Sequence, residues 1–158
     1  MKATRLFIHG LESSSGGTKG LFFRRHFPDM LIEDYFGSFS QRMVTLKGLL
    51  AEKDRILLVG SSFGGLMAAV YACEHEEQTK KIILLAPALH SDYFRPHLKK
   101  KSNVPVIIFH GRQDQVVPLE PVRAIAGQVF KNLQFNEVED DHFLHRTFRT
   151  LNWKKLLE

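Results

Sequence analysis

The sequence predicts a three-layer α/β/α sandwich around a parallel sheet of about six strands, and three observations carry that prediction. Short apolar runs alternate with helical stretches along the chain, which calls for parallel pairing through right-handed crossovers. Two of those runs, Ile56 to Val59 and Lys81 to Ala86, are almost continuously apolar, as strands covered on both faces are. At 158 residues with 44% hydrophobic composition, the chain suffices for one well-buried domain and is too short for two of ordinary size. Residues 1–158 are therefore expected to form a single domain.

Arg5 to His9 reads as the first strand, followed by the small-residue loop from Gly10 to Gly17. Such a loop presents freely oriented backbone N–H groups, as an oxyanion donor requires; Leu11 is the candidate donor, with Gly10 the alternative beside the substrate. A helix from Thr18 or Lys19 through Phe27 ends at Pro28 and Asp29, and Met30 to Glu33 is a short second strand. After an aromatic loop from Asp34 to Phe39, Ser40 reads as the N-cap of a helix over Gln41 to Glu52. Met43, Leu46, Leu49 and Leu50 fall on one face of it, a packing stripe rather than a cofactor site.

The stretch from Arg55 to Ala72 reads as strand, tight turn and helix. Its turn, Gly60-Ser61-Ser62-Phe63-Gly64, matches G-x-S-x-G, in which the serine sits at a strained corner that lifts its hydroxyl above the sheet edge. Ser62 is the candidate nucleophile, and glycines on either side leave room for the bend. The N–H of Phe63, at the start of the following helix, faces any oxyanion that forms there. Ser61 occupies the variable position and is expected to face a neighbouring strand.

Pro87 closes the next strand, and the connection to Asn103 is too short to build a helical cap. Within it Tyr93 and Phe94 are candidate substrate-binding residues, walling a shallow pocket together with Phe36 and Phe39. Val104 to His110 is the fifth strand, leading into His110-Gly111-Arg112-Gln113-Asp114 and a helix over Leu119 to Asn132. Asp114, just past a strand end, is the candidate acid, with Asp92 in reserve. Leu133 to Val138 is the last strand; His142 lies just beyond it, before an amphipathic helix that runs to the carboxyl terminus. His145 is the rival histidine.

The single cysteine, Cys73, excludes an intramolecular disulfide framework and suits a reducing compartment. The apolar run near the amino terminus is too short for a signal peptide and no later run could span a bilayer, so a cytoplasmic protein without membrane attachment is expected. The formal charge of +5 permits an anionic partner. Lys99 to Lys101 form the densest basic cluster, but no zinc-ligand spacing, helix-turn-helix signal or aromatic RNA-binding motif accompanies them. A solvated basic loop, and no nucleic-acid partner, is the expectation.

Ser62, Asp114 and His142 follow strands in the order serine, acid, histidine. With His9-Gly10-Leu11, Ser13-Ser14, the elbow through Gly65, Val117-Pro118 and Asp141-His142-Phe143, they make the chain resemble a compact member of the α/β-hydrolase superfamily, similar to small, lidless, single-domain bacterial serine esterases. The resemblance covers nearly the whole chain and implies strand order 2-1-3-4-5-6, with no cap domain. It implies a serine hydrolase that cleaves small acyl (carboxylic) esters through an acyl-enzyme intermediate, without metal or organic cofactor. In that scheme His142 takes the Ser62 proton, Asp114 orients the imidazole, and Phe63 and Leu11 N–H groups meet the oxyanion. A thioesterase and a catalytically silent binding protein of the same fold are the alternatives.

Overall fold

The computed structural model describes residues 2–158. Six strands, β1 (Thr4–Ile8), β2 (Leu31–Ile32), β3 (Ile56–Ser61), β4 (Thr79–Leu85), β5 (Val106–Gly111) and β6 (Leu133–Val138), form one sheet in the order β2-β1-β3-β4-β5-β6. Every neighbouring pair is parallel. The helices are α1 (Thr18–His26), α2 (Phe39–Leu50), α3 (Phe63–Glu74), α4 (Leu119–Val129) and α5 (Trp153–Leu156). This is an α/β-hydrolase fold, with no cap domain.

The two-residue period of a strand sorts the core into two layers. On β3, Ile56 and Leu58 pack with α2, α3 and α4 through Leu46, Met67 and Val122, whereas Leu57 and Val59 pack with α1 and α5 through Phe23 and Trp153. Because α3 lies over the centre of the sheet, it is buried from Gly64 to Ala72, which explains why it is apolar all round rather than amphipathic. The second layer is aromatic: the Phe23 ring packs edge-on against Phe148 and Trp153, and the Trp153 indole donates to the Phe148 carbonyl at 2.9 Å. Trp153→Ala is expected to lower unfolding stability by about 3–5 kcal/mol, read as a shift in urea midpoint without change in slope. A shift within error would show that this layer contributes little.

Several boundaries differ from the expectation. Helix α2 is capped by Ser38, not Ser40: the Ser38 hydroxyl accepts from the Gln41 N–H while the Gln41 side chain accepts from the Ser38 N–H. That reciprocal box needs a Gln three residues after the cap, and only Ser38 has one. The carboxyl-terminal segment is not one amphipathic helix but a 3₁₀ turn, Phe148–Thr150, and the single-turn α5. The Asp140 carboxylate takes the Arg146 and Thr147 N–H groups at 3.0 and 2.7 Å, donors that a continuous helix would have used. The Pro87 to Asn103 connection is anchored by the 3₁₀ turn Asp92–His97, whose Phe94 is fully buried. Among the described residues no helix is long and apolar enough to cross a membrane.

Candidate active site

The parallel sheet delivers the carboxyl ends of β1, β3, β5 and β6 to one edge, and the loops leaving them meet there. At the β3 end Ser62 holds φ 56° and ψ −113°, a conformation that side-chain-bearing residues rarely adopt. Its surroundings over-determine it. The Ser62 N–H donates to the Leu85 carbonyl at 2.9 Å, and its own carbonyl accepts from Gly65 and Ala88 at 3.0 and 3.1 Å. The following turn presses so closely on β1 that a Cβ on Gly64 would lie 2.2 Å from the Ile8 carbonyl oxygen, which excludes every other residue type there.

Asp114 sits in the turn between β5 and α4 with its side chain fully buried. One carboxylate oxygen, Oδ1, accepts from the Val116 and Val117 N–H groups at 2.8 Å each. The other, Oδ2, lies 2.8 Å from His142 Nδ1, and His142 Nε2 lies 3.1 Å from Ser62 Oγ. A carboxylate can only accept, so Nδ1 carries the proton and the bare Nε2 lone pair faces the serine hydroxyl. The loop carrying His142 is held by Asp140, which binds three backbone N–H groups, Asp141, Arg146 and Thr147. It crosses β5 at Gly111, where a Cβ would meet the Asp140 carbonyl oxygen at 2.3 Å. The rivals lie elsewhere: Asp92 pairs with Arg95 on the surface, and His145, exposed, pairs with Asp141 at 2.6 Å.

On the other side of the serine, Phe63 is the first residue of α3, so its N–H has no acceptor within the helix. Leu11 lies in the turn after β1, and a Cβ on Gly10 would come within 3.5 Å of Ser62 Cβ, so this turn runs directly over the elbow. His9 steadies it. The Tyr35 N–H donates to His9 Nε2 at 3.0 Å, which leaves the ring proton on Nδ1, and Nδ1 donates to the Gly10 carbonyl at 2.7 Å. That bond fixes the plane of the Gly10–Leu11 peptide and hence the direction of the Leu11 N–H.

Comparison with known proteins bears on this edge. The family profile described as serine aminopeptidase, S33, matches residues 15–101, more than half of the chain and the part that includes the elbow. The chain belongs to that family of α/β hydrolases. No curated protein matches it significantly by sequence. Among solved structures, Est1E from Butyrivibrio proteoclasticus superimposes with a TM-score of 0.80 at 17% identity, covering 99% of this chain and 85% of that one. The mouse alpha/beta hydrolase domain-containing protein 10 gives 0.77 at 16% identity, with 98% and 86% covered. The monoacylglycerol lipase of Paleococcus ferrophilus gives 0.75 at 14% identity, with 99% and 95% covered. At these identities the likeness is one of fold.

In this S33-family hydrolase Ser62 opens into a cavity of about 970 Å³. Its walls come from the loop after β1, the elbow, and the segments around Val116 and Phe143. Gly10 and Leu11 line it, whereas Tyr93 and Phe94, expected as substrate-binding residues, do not. Phe94 is consumed by the core against Phe130, and Tyr93 stacks on Phe39, with ring centroids 4.4 Å apart, outside the cavity. The exposed Phe36 does not line it either; the phenylalanines in its walls are Phe7, Phe63, Phe143 and Phe148. Ser61, expected to face a neighbouring strand, also reaches the lining. Of the lining aromatics that sequence reading missed, Phe148 belongs to the segment it took for a continuous helix, and Phe143 was read only as part of Asp141-His142-Phe143.

Charge in the cavity is unevenly distributed. Lys19 and Arg149 line it against the single carboxylate of Glu12. Lys19 donates to the Phe143 carbonyl at 2.8 Å, and its burial lowers its proton affinity below that of an ordinary lysine. Cys73, whose thiol is pushed up to about 12 mainly by burial, stays protonated and unreactive. Among the described residues no group of three or more His, Cys, Asp or Glu side chains is placed to hold a metal ion.

Proposed function

We propose that this chain is a single-domain serine hydrolase of small carboxylic esters, acting through an acyl-enzyme formed on Ser62. One observation carries the reading: an unbroken hydrogen-bonded chain from Asp114 through His142 to Ser62 Oγ, opening on a cavity large enough for an acyl and an alcohol group. As Ser62 Oγ attacks the carbonyl carbon, His142 Nε2 takes its proton, and the imidazolium is stabilised by Asp114. The Phe63 and Leu11 N–H groups receive the oxyanion. His142 then protonates the departing alcohol, and water, activated by the same imidazole, releases the carboxylic acid and regenerates the serine.

The family's name raises aminopeptidase chemistry, but recognition of a free α-ammonium calls for carboxylates, and the lining holds two cations and one carboxylate besides its histidines. Est1E has been solved with ferulic acid bound, and a lipase is among the structures of like fold; both support an ester substrate for this chain. The test is kcat/KM on monomeric p-nitrophenyl esters from acetate to octanoate, with matched thioesters and alanine p-nitroanilide alongside. Each methylene that the cavity buries should add about 0.8 kcal/mol, about fourfold in kcat/KM, before the series levels off. Faster turnover of the aminoacyl anilide than of every ester would overturn the reading, and faster turnover of the thioesters would move it to that class.

A further inference from the structure

His110 is fully buried at the end of β5, and nothing in the reaction scheme uses it. Its Nε2 lies 3.0 Å from the Val117 carbonyl oxygen and 3.3 Å from Asp114 Oδ2, the same oxygen that faces His142. Both neighbours are acceptors, so Nε2 carries the proton. Its Nδ1 is buried with no partner among the described residues, so a second proton there would have nothing to bond. Burial accordingly holds the imidazole below its ordinary proton affinity, despite the attraction of Asp114 and with some repulsion from His142 and His90.

The contacts form a circuit. The His110 N–H fixes the Val117 carbonyl; the Val117 N–H, with that of Val116, fixes Asp114 Oδ1; and Asp114 Oδ2 fixes the His142 ring, with the His110 N–H beside it. The Val117 N–H and the Val117 carbonyl belong to successive peptides, so holding both fixes the backbone on either side of the Val117 Cα, whereas a turn anchored only at its N–H groups can still swing about the carboxylate it serves. We propose that His110 is a positioning residue for the acid of this site: as a neutral imidazole it locks the Val116–Val117 turn and so sets the aim of Asp114 at His142. The proposal rests on the reading of Ser62, His142 and Asp114 given above.

The experiment compares His110→Gln, His110→Asn and His110→Leu, each shown to be folded by circular dichroism. A glutamine amide nitrogen reaches about where Nε2 stands, whereas the asparagine amide is one methylene short of it. His110→Leu and His110→Asn should lower kcat by about 10- to 100-fold with KM changed less than about threefold, and His110→Gln should recover most of the loss. The downfield proton resonance of His142 Nδ1–H should shift or broaden in the asparagine and leucine variants and return in the glutamine variant. If the leucine variant does not fold, the glutamine and asparagine pair decides. A folded asparagine or leucine variant with wild-type kcat and an unmoved resonance overturns the proposal, as does a glutamine variant no better than asparagine. His142→Ala is run beside them: if it stays active, the reading of the site itself has failed; if it is dead while the His110 variants keep full kcat, only this inference has.

Discussion

Ser62→Ala is expected to lower ester turnover by about 10⁶-fold in kcat and to prevent labelling by a fluorophosphonate probe while leaving the fold intact. The size follows from chemistry: without Oγ no acyl-enzyme can form, and only binding and oxyanion stabilisation remain. The fold survives because the side chain makes a single hydrogen bond, to His142, while the backbone of the elbow is held by Leu85, Gly65 and Ala88. Ser61→Ala is the control, since Ser61 reaches the cavity lining while the hydrogen bond to His142 Nε2 is made by Ser62. Thermal melts, turnover and mass spectrometry of the labelled peptide are the measurements. An active Ser62→Ala protein beside an inactive Ser61→Ala one would transfer the nucleophile to Ser61.

His142→Ala is expected to be nearly as damaging, and Asp114→Asn to cost about 10⁴-fold in kcat. The asparagine effect can be worked out from the hydrogen bonds. The Val116 and Val117 N–H groups both point at Oδ1, so the amide oxygen stays on that side and the NH₂ group replaces Oδ2. That NH₂ then faces His142 Nδ1, which must turn acceptor, and the imidazole proton moves to Nε2, where it blocks uptake of the serine proton. The same NH₂ would confront the His110 N–H, so a loss of stability should accompany the loss of activity. Asp92→Asn, which disturbs only a surface pair with Arg95, should be silent. A severe Asp92→Asn with a harmless Asp114→Asn would show that another carboxylate serves the histidine.

Much of this edge was legible before any coordinates. Apolar runs of strand length separated by helical periods dictate a parallel sheet, because a strand buried on both faces cannot tolerate polar residues and a crossover helix must lie over it. A serine flanked at two residues' distance by glycines marks the elbow for a steric reason, local at Gly60, where a Cβ would meet the Gly64 carbonyl oxygen at 2.3 Å. The positions of Asp114 and His142 just after strand ends follow from the same reading.

What the linear chain could rank but not decide was the choice among residues of like type. Asp114 over Asp92, and His142 over His145, depend on two loops that meet across 28 residues and on a serine 80 residues before the histidine. No periodicity reports such a meeting. Which aromatics line the cavity was hidden for a related reason: an aromatic in a loop has the same local pattern whether it is drawn into the core, as Phe94 is, or lines the cavity, as Phe143 does. The carboxyl-terminal helix was overextended because Leu144 takes a positive φ and Leu151 an extended conformation, breaks that the spacing of apolar residues does not report. Sequence by itself determined the sheet, its layers and the elbow, since these rest on burial and local sterics; the partners at the sheet edge were decided by tertiary structure, where single hydrogen bonds between distant loops choose among residues of the same type.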